Sequence, residues 1–276
     1  MLGWYAANKR SMPWRGHPDP YAVWVSEIML QQTQVDTVRP YFARFLEAFP
    51  TIAALAAAAD APLLKAWEGL GYYTRVRNLR KAAQAVMSAH AGALPRTAEG
   101  LRALPGIGAY TAAAIASICF GEPVPVVDGN VARVFARRNA LPDDFKKEAP
   151  RRALAAWLTP HIVASGSPAD FNQAMMELGA LVCVPRSPAC GECPLAAMCL
   201  AHKNGEEGNF PVMPEKKPKK EENIYAFVIM TPRGIAYRKR EKGVLRGMNE
   251  FPSETVSLDD GADENATAAR ILETWG

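Results

Sequence analysis

Apolar residues recur at helical spacing through most of the chain. From Trp14 to about His202 the pattern predicts helices over Tyr21–Phe49, broken at Pro40, and over Ala53–Ala59, Leu63–Leu70, Asn78–Ala91 and Leu101–Leu104. Further helical runs follow at Thr111–Phe120, Val131–Arg138, Arg151–Ile162 and Phe171–Val182, with Gly and Pro punctuating the gaps. No alternating strand pattern interrupts them, so this region is expected to be all-α. The pattern then changes. Lys203–Asn223 is polar, centred on Glu215-Lys-Lys-Pro-Lys-Lys-Glu-Glu, a composition that suits a solvated linker. Ile224–Thr231 and Ile235–Arg240 are strand-like around a Pro232-Arg-Gly turn, and Asn265–Trp275 begins a helix. Two or three strands and one helix make a poor independent domain, because an isolated hairpin is only marginally stable. This last module reads as incomplete.

The chain has 276 residues and a mass of 30.0 kDa, room for one large domain or two ordinary ones. No stretch approaches the ~20 uninterrupted apolar residues of a membrane helix, which argues against a spanning protein. The start, Met1-Leu-Gly-Trp-Tyr, lacks a basic region followed by an apolar core, so a cytoplasmic rather than a secreted protein is expected. The formal charge of +4 permits a nucleic-acid partner without requiring one. Residues 1–222 hold 25 basic and 20 acidic side chains against 7 and 8 in the remainder, so the excess lies outside the last module. Within it, the lysines near 216–220 offer an alternative to the linker reading, a basic strip touching DNA.

Four stretches carry candidate chemistry. In Leu104-Pro-Gly-Ile-Gly-Ala-Tyr-Thr-Ala112, Pro and two Gly make a tight turn between helices, and the second helix starts at that turn. Its unpaired amides and positive dipole end suit a phosphate without reading base sequence, and Gly106 and Gly108 are the candidate positions. An ordinary helix–helix turn is the alternative. Cys183, Cys190, Cys193 and Cys199 are spaced C-x6-C-x2-C-x5-C, a close cluster that points to a metal site in a reducing compartment. Four thiolates suit iron–sulfur or zinc; only Cys190/Cys193 forms a close doublet, which favours a [4Fe–4S] cluster. Cys119 stands alone on an apolar helix and is expected in the core.

Glu27 lies three or four residues from Val23, Trp24, Leu30 and Gln31, so its helix face is largely apolar. A desolvated carboxyl there has a raised pKa, as a general acid near neutral pH requires; a surface or capping Glu is the alternative. Asp128, in Val126-Val-Asp-Gly-Asn-Val131, opens a helix and suits an N-cap, and its charge could also face a ligand. Two carboxyls with separated pKa values are what glycosidic bond cleavage uses: one protonates the leaving group, the other steadies the sugar cation.

The hairpin followed by the cysteine quartet resembles the endonuclease III/adenine glycosylase superfamily. The likeness becomes specific over Met12-Pro-Trp-Arg15, Val25-Ser-Glu-Ile-Met-Leu-Gln-Gln-Thr33, Gly69-Leu-Gly-Tyr-Tyr73, Val127-Asp-Gly-Asn130 and Phe171-Asn-Gln-Ala-Met-Met-Glu-Leu-Gly-Ala180. With these the chain resembles the adenine DNA glycosylases of the MutY type, from about Leu2 to Pro252. That resemblance implies an all-α helix-hairpin-helix glycosylase core of two helical subdomains (about 15–130, and about 1–14 plus 131–203) with a [4Fe–4S] cluster. A linker at 204–223 and a truncated α+β Nudix-like segment at 224–276 would follow. The implied activity is removal of adenine opposite 8-oxoguanine or guanine in double-stranded DNA during base-excision repair, by a monomer in the bacterial cytoplasm.

By the same resemblance Glu27 protonates the extruded adenine and Asp128 stabilises the sugar cation or its adduct, with Asn130 and Tyr110 positioning them. Trp14, Arg15 and Leu30 would line the adenine pocket; Gln32, Thr33 and Tyr72 would contact or wedge the opened duplex. Gln173 matches a position that holds Gln or Glu. The related bifunctional enzymes carry a Lys where this chain has Tyr110, and no Lys occurs between Lys81 and Lys146, so strand cleavage through a Schiff base is not expected. Two departures stand out: the start is trimmed by several residues in the first helix, and the Nudix-like module lacks its later strands, which would weaken preference for 8-oxoguanine. An endonuclease III-like pyrimidine glycosylase/lyase and a non-catalytic iron–sulfur DNA-binding protein are the competing readings.

Overall fold

The computed structural model describes residues 1–16, 19–212, 223–243, 245–256 and 264–275. Two units emerge, Met1–Pro214 and Glu215–Gly276.

The first unit is helical throughout its described residues. Helices α1 (Leu2–Asn8), α2 (Pro20–Leu30), α3 (Val35–Ala48), α4 (Ile52–Ala56), α5 (Asp60–Ala66) and α6 (Thr74–Ala89) are followed by α7 (Ala98–Arg102) and α8 (Ala109–Phe120). Then come α9 (Gly129–Asn139), α10 (Glu148–Ser165), α11 (Pro168–Leu181) and the short α12 (Leu200–Asn204). Helix α2 starts where Asp19 caps the Tyr21 amide and Pro20 takes the first helical position, which needs no amide. Every residue from Tyr21 to Met29 is buried, so α2 is a central helix enclosed on all faces. It packs against α3, α6 and α8. Around it lies a core from Met12 to Ala116, in which Trp24, Trp67 and Phe45 are fully buried. Each such side chain supplies on the order of 1.5–3 kcal/mol of apolar burial.

A second core gathers α9, α10 and α11, including Val131, Leu154, Leu158, Ile162 and Leu178, with Leu2 and Trp4 of α1 packed onto it. The chain thus crosses from one core to the other between α8 and α9, and its first helix belongs with the second.

Two expectations need correction. The break within Tyr21–Phe49 falls at Gln31–Gln34, where Gln32 turns left-handed (φ 59°), while Pro40 sits inside a continuous α3. A proline costs a helix one hydrogen bond, whereas a positive φ ends it. Helix α1 escaped the pattern because its seven residues span under two turns.

In the second unit, β1 (Asn223–Ala226) pairs antiparallel with β6 (Ser253–Val256), β2 (Met230–Thr231) with β3 (Gly234–Ile235), and β4 (Arg238–Lys239) with β5 (Asn249–Glu250); α13 (Glu264–Trp275) follows. The expected long strands are therefore broken into short ones. The partner of the first lies nearly thirty residues on, a pairing no local pattern reports. Of the linker expected at 204–223, residues 213–222 and their lysines lie outside the described residues. Residues 205–212 belong to the first unit, where Arg137 donates to the carbonyls of Glu207 and Phe210 (2.9 and 3.0 Å). No described helix is long and apolar enough to cross a membrane.

Candidate active site

Glu27 projects from the central α2 and Asp128 sits at the N-cap of α9, one on each core. Both line one cavity of about 630 Å3, together with Trp14, Arg15, Leu30, Thr33, Tyr110, Asn130 and Gln173. That is within the size range of small-molecule sites.

The two carboxyls differ in what surrounds them. Glu27 is 6% exposed, and its Oε2 has no hydrogen-bond partner among the described residues. Burial pushes its pKa from 4.5 to about 7; the Tyr110 hydroxyl and Arg15 oppose the rise, and the charge of Asp128 adds to it. Tyr110 is itself pushed well above 10 by burial and by both carboxylates, so it stays a neutral donor; its hydroxyl also lies 3.6 Å from Met176 Sδ. Asp128 is raised by burial too, but its charged form is well supplied with donors. Its Oδ1 accepts from the Val131 amide (2.7 Å) and its Oδ2 from Asn130 Nδ2 (2.9 Å), and Arg133 lies near. Glu27 is thus set up to hold a proton near neutrality, while the charged form of Asp128 is the one supplied with hydrogen-bond donors.

Asn130 is held in turn. Arg133 donates to its Oδ1 (2.8 Å), to Gly179 O and to Cys183 O (both 2.7 Å). Helix α11 approaches so closely here that a Cβ on Gly179 would stand 2.6 Å from Asn130 Cβ and 2.9 Å from its carbonyl oxygen.

The other wall is built around Glu177, which is 1% exposed. Its carboxylate receives Arg15 Nη1 and Nη2 (2.9 and 2.7 Å), Arg10 Nε and Nη2 (3.0 and 2.9 Å) and the Arg10 amide (2.8 Å). The Arg15 and Arg10 donors hold its pKa down at about 2 against the effect of burial. Arg15 therefore lines the cavity as part of an ion-pair cluster. Trp14 both lines the cavity and packs edge-on against Phe42 at 5.3 Å.

A groove of about 820 Å3 shares Tyr110 with the cavity as a lining residue and is bordered by Gly108, Ala109, Arg102, Lys146, Arg151 and Arg152. Helix α8 begins at Gly108 with no side-chain cap, so its leading amides are open to an anion. Gly106 takes φ +77°, and a Cβ there would meet Asn78 Cβ at 2.6 Å, so the turn requires glycine. Gln32 and Tyr72 lie outside the cavity; Tyr72 is 63% exposed.

Cys183, Cys190, Cys193 and Cys199 surround one small cavity with Arg137, and Cys119 lies elsewhere, half-buried against the first core with its thiol pushed up to about 12. Arg137 is 2% exposed, and among the described residues it meets only carbonyls and sulfur: Val184 O (2.7 Å), Pro185 O (2.9 Å) and Cys183 Sγ (3.4 Å), besides the carbonyls of Glu207 and Phe210. A buried guanidinium without a carboxylate is costly unless negative charge stands nearby. Four thiolates around a cluster supply that charge, so the residues fit a [4Fe–4S] group.

Sequence reasoning missed Glu177, Arg10, Arg133 and Arg137. Glu177 had a readable signal, an acidic residue among Met175, Met176 and Leu178 on an apolar helix, the same signal that marks Glu27.

The family described as HhH-GPD superfamily base excision DNA repair protein matches residues 25–179, and the iron–sulfur binding domain of endonuclease III matches residues 183–199. The chain is 37% identical to the human adenine DNA glycosylase over all of this chain and 60% of that protein. Against the adenine DNA glycosylase of Buchnera aphidicola subsp. Schizaphis graminum the figures are 35% identity, 92% and 73%. The chain spans about 60% of the length of the mammalian relatives it matches. Among solved structures, a thermostable thymine-DNA glycosylase aligns with a TM-score of 0.67 and 26% identity over 74% of this chain and 93% of that one. A non-covalent endonuclease III–DNA complex aligns over the same shares at 0.62 and 22%, a likeness of fold alone.

Proposed function

The chain belongs to the adenine DNA glycosylases of the HhH-GPD superfamily, and from that premise we propose that it hydrolyses the N-glycosidic bond of adenine mispaired with 8-oxoguanine or guanine in double-stranded DNA. The observation that carries this reading is Glu27: buried, poised near pH 7, with an unpartnered oxygen in a cavity it shares with Asp128.

An adenine leaving group is a poor anion, and C–N cleavage builds positive charge on the sugar. Glu27 in its acid form donates a proton to the base as the bond breaks, and Asp128 as carboxylate stabilises or traps the sugar cation. Tyr110 and Asn130 hold the two carboxyls in place. Trp14, Arg15 and Leu30 line the base pocket, and Thr33 sits at its edge. The base must leave the stack to arrive there. Gly106, Gly108 and the uncapped start of α8 receive backbone phosphate. No lysine lines the cavity among the described residues, which supports a monofunctional enzyme with no Schiff-base lyase step.

Cys183, Cys190, Cys193 and Cys199 would hold the [4Fe–4S] cluster, which would supply a cross-link fastening the C-terminal part of the helical domain. The glycosylase domain is residues 1–203, with a helix-hairpin-helix part at about 15–130 and an iron–sulfur part at about 1–14 plus 131–203, a division supported by the two cores. A linker, expected at 204–223 but fastened to the helical domain as far as Phe210, is followed by a Nudix-like segment (224–276). The enzyme acts as a monomer in a bacterial cytoplasm, on the nucleoid.

The test compares duplexes carrying adenine opposite 8-oxoguanine, adenine opposite guanine, or an oxidised pyrimidine, with and without alkali. Breaks only after alkali, and only on the adenine substrates, are expected. Alkali-independent breaks on the pyrimidine substrate would establish the endonuclease III-like alternative, and binding with no breaks at all the non-catalytic one.

A further inference from the structure

Two exposed loops beside the cavity are fastened by one side chain. Arg75, on the first turn of α6, reaches the end of α2 on one side and the Gly69–Tyr73 loop on the other. Its Nη1 donates to Ile28 O (3.1 Å), Met29 O (3.0 Å) and Gln31 O, and lies 3.4 Å from Thr33 Oγ1. Its Nη2 donates to Leu70 O (2.9 Å) and Gly71 O (3.3 Å), and also meets Thr33 Oγ1 at 3.4 Å. The guanidinium carbon stands 5.4 Å from the Trp67 ring centroid and 5.6 Å from that of Tyr72. All these partners are neutral, and burial lowers the Arg75 pKa.

Two of the carbonyls it binds, Gln31 O and Gly71 O, come immediately before residues with left-handed backbones, Gln32 (φ 59°) and Tyr72 (φ 46°). Such conformations are unfavourable for side-chain-bearing residues and persist only where the surroundings enforce them. Here one guanidinium is the contact that the two loops share. Leu30 and Thr33 of the first loop line the cavity, and Gln31 borders the adjoining groove while donating to Thr111 Oγ1 at 3.2 Å. Tyr72 presents a large aromatic face to solvent from a backbone that cannot swing, with its neighbouring loop tied further by Trp67 Nε1 donating to Gly71 O at 3.0 Å.

We propose that Arg75 is a positioning residue that locks Gln32 and Tyr72 into one rigid two-pronged edge, which enters the opened duplex and keeps the target base in the cavity. This rests on the adenine glycosylase reading above. Inserting side chains between bases costs unstacking, and edges ordered in advance lose less entropy on insertion than mobile ones. Arg75 touches neither the base nor the sugar. Its effect belongs to base extrusion and is absent where extrusion is already complete.

That separation supplies the test. Single-turnover excision is measured for the full chain and for Arg75→Lys, Tyr72→Ala and the double variant, on a paired duplex and on one whose adenine already lies in an unpaired bubble. Melting temperature and iron content report folding. On the paired duplex Arg75→Lys is expected to lose ~10- to 100-fold, the scale of a misplaced positioning group. On the bubble the loss should stay under about threefold, and the double variant should be no slower than the slower single one, since coupled residues are non-additive. Equal losses on both substrates, or losses that add, overturn the proposal. Should Arg75→Lys fail to fold, Arg75→Gln, which keeps one amide donor on a shorter side chain, takes its place. Fluorescence of a 2-aminopurine beside the target adenine reads insertion without chemistry. If the unaltered chain brightens the probe but excises nothing, the functional reading fails, and a smaller rise with the Arg75 variant still supports the locked edge. If excision proceeds but the Arg75 variant brightens the probe as much as the unaltered chain does, only the inference fails.

Discussion

Glu27→Gln isolates the proton on which the proposed chemistry depends. Glutamine keeps the shape and the neutral state of the acid and cannot deliver a proton. With its pKa lifted from 4.5 to about 7, roughly half of Glu27 is protonated at pH 7, where an ordinary glutamate would be protonated in about 1 molecule in 300. The same rise is worth on the order of 3 kcal/mol against the charged form. Its sign for folding follows directly. Between about pH 4.5 and 7 the unfolded chain has released a proton that the folded chain still holds, so stability falls as pH rises through this window. Above it the full penalty stands. Glutamine carries no such penalty, so the variant should gain up to about 3 kcal/mol on the unaltered chain between about pH 4 and pH 8. Denaturant unfolding at the two pH values measures this, and single-turnover excision on adenine opposite 8-oxoguanine measures the chemical loss, expected at ~10²–10⁴-fold. The rate of the unaltered enzyme should decline above about pH 7 as the acid form is lost. Normal excision by Glu27→Gln, or a stability difference that does not move with pH, would refute the buried-acid argument.

Glu177→Gln should leave two guanidinium groups without their carboxylate and cost about 3–5 kcal/mol by thermal or denaturant unfolding. Because its folded pKa is depressed to about 2, the stability Glu177 contributes is present above about pH 4.5 and lost on acidification toward 2, so the variant's acid-unfolding curve should be flatter over that range. Gly179→Ala drives a methyl group against the Asn130 backbone; about 1–3 kcal/mol of overpacking is expected, with excision falling further than binding because Asp128 moves with Asn130. Cys199→Ser should lower bound iron and visible absorption together with the melting temperature, and retention of full iron content would remove Cys199 from the ligand set.

Much of this protein is readable residue by residue. The helical period marks most of the long helices, the Pro-Gly-Ile-Gly turn marks the hairpin, and the cysteine spacing marks the cluster, because each depends on neighbours within a few positions. The apolar face around Glu27 is local information of the same kind. The tertiary structure alone decides that Glu27 and Asp128, a hundred residues apart and on different cores, open into one cavity. It alone turns Arg15 into half of an ion pair with Glu177, seats Arg137 against the cysteines and lets Arg75 tie together two loops about forty residues apart. Long polar side chains reach across packed helices, and their partners are set by which backbones come within about 3 Å. A one-dimensional period contains no such distance. The sequence therefore determined the elements and the chemical groups, and the packing of α2, α9 and α11 decided which of those groups share a proton, a charge or a substrate.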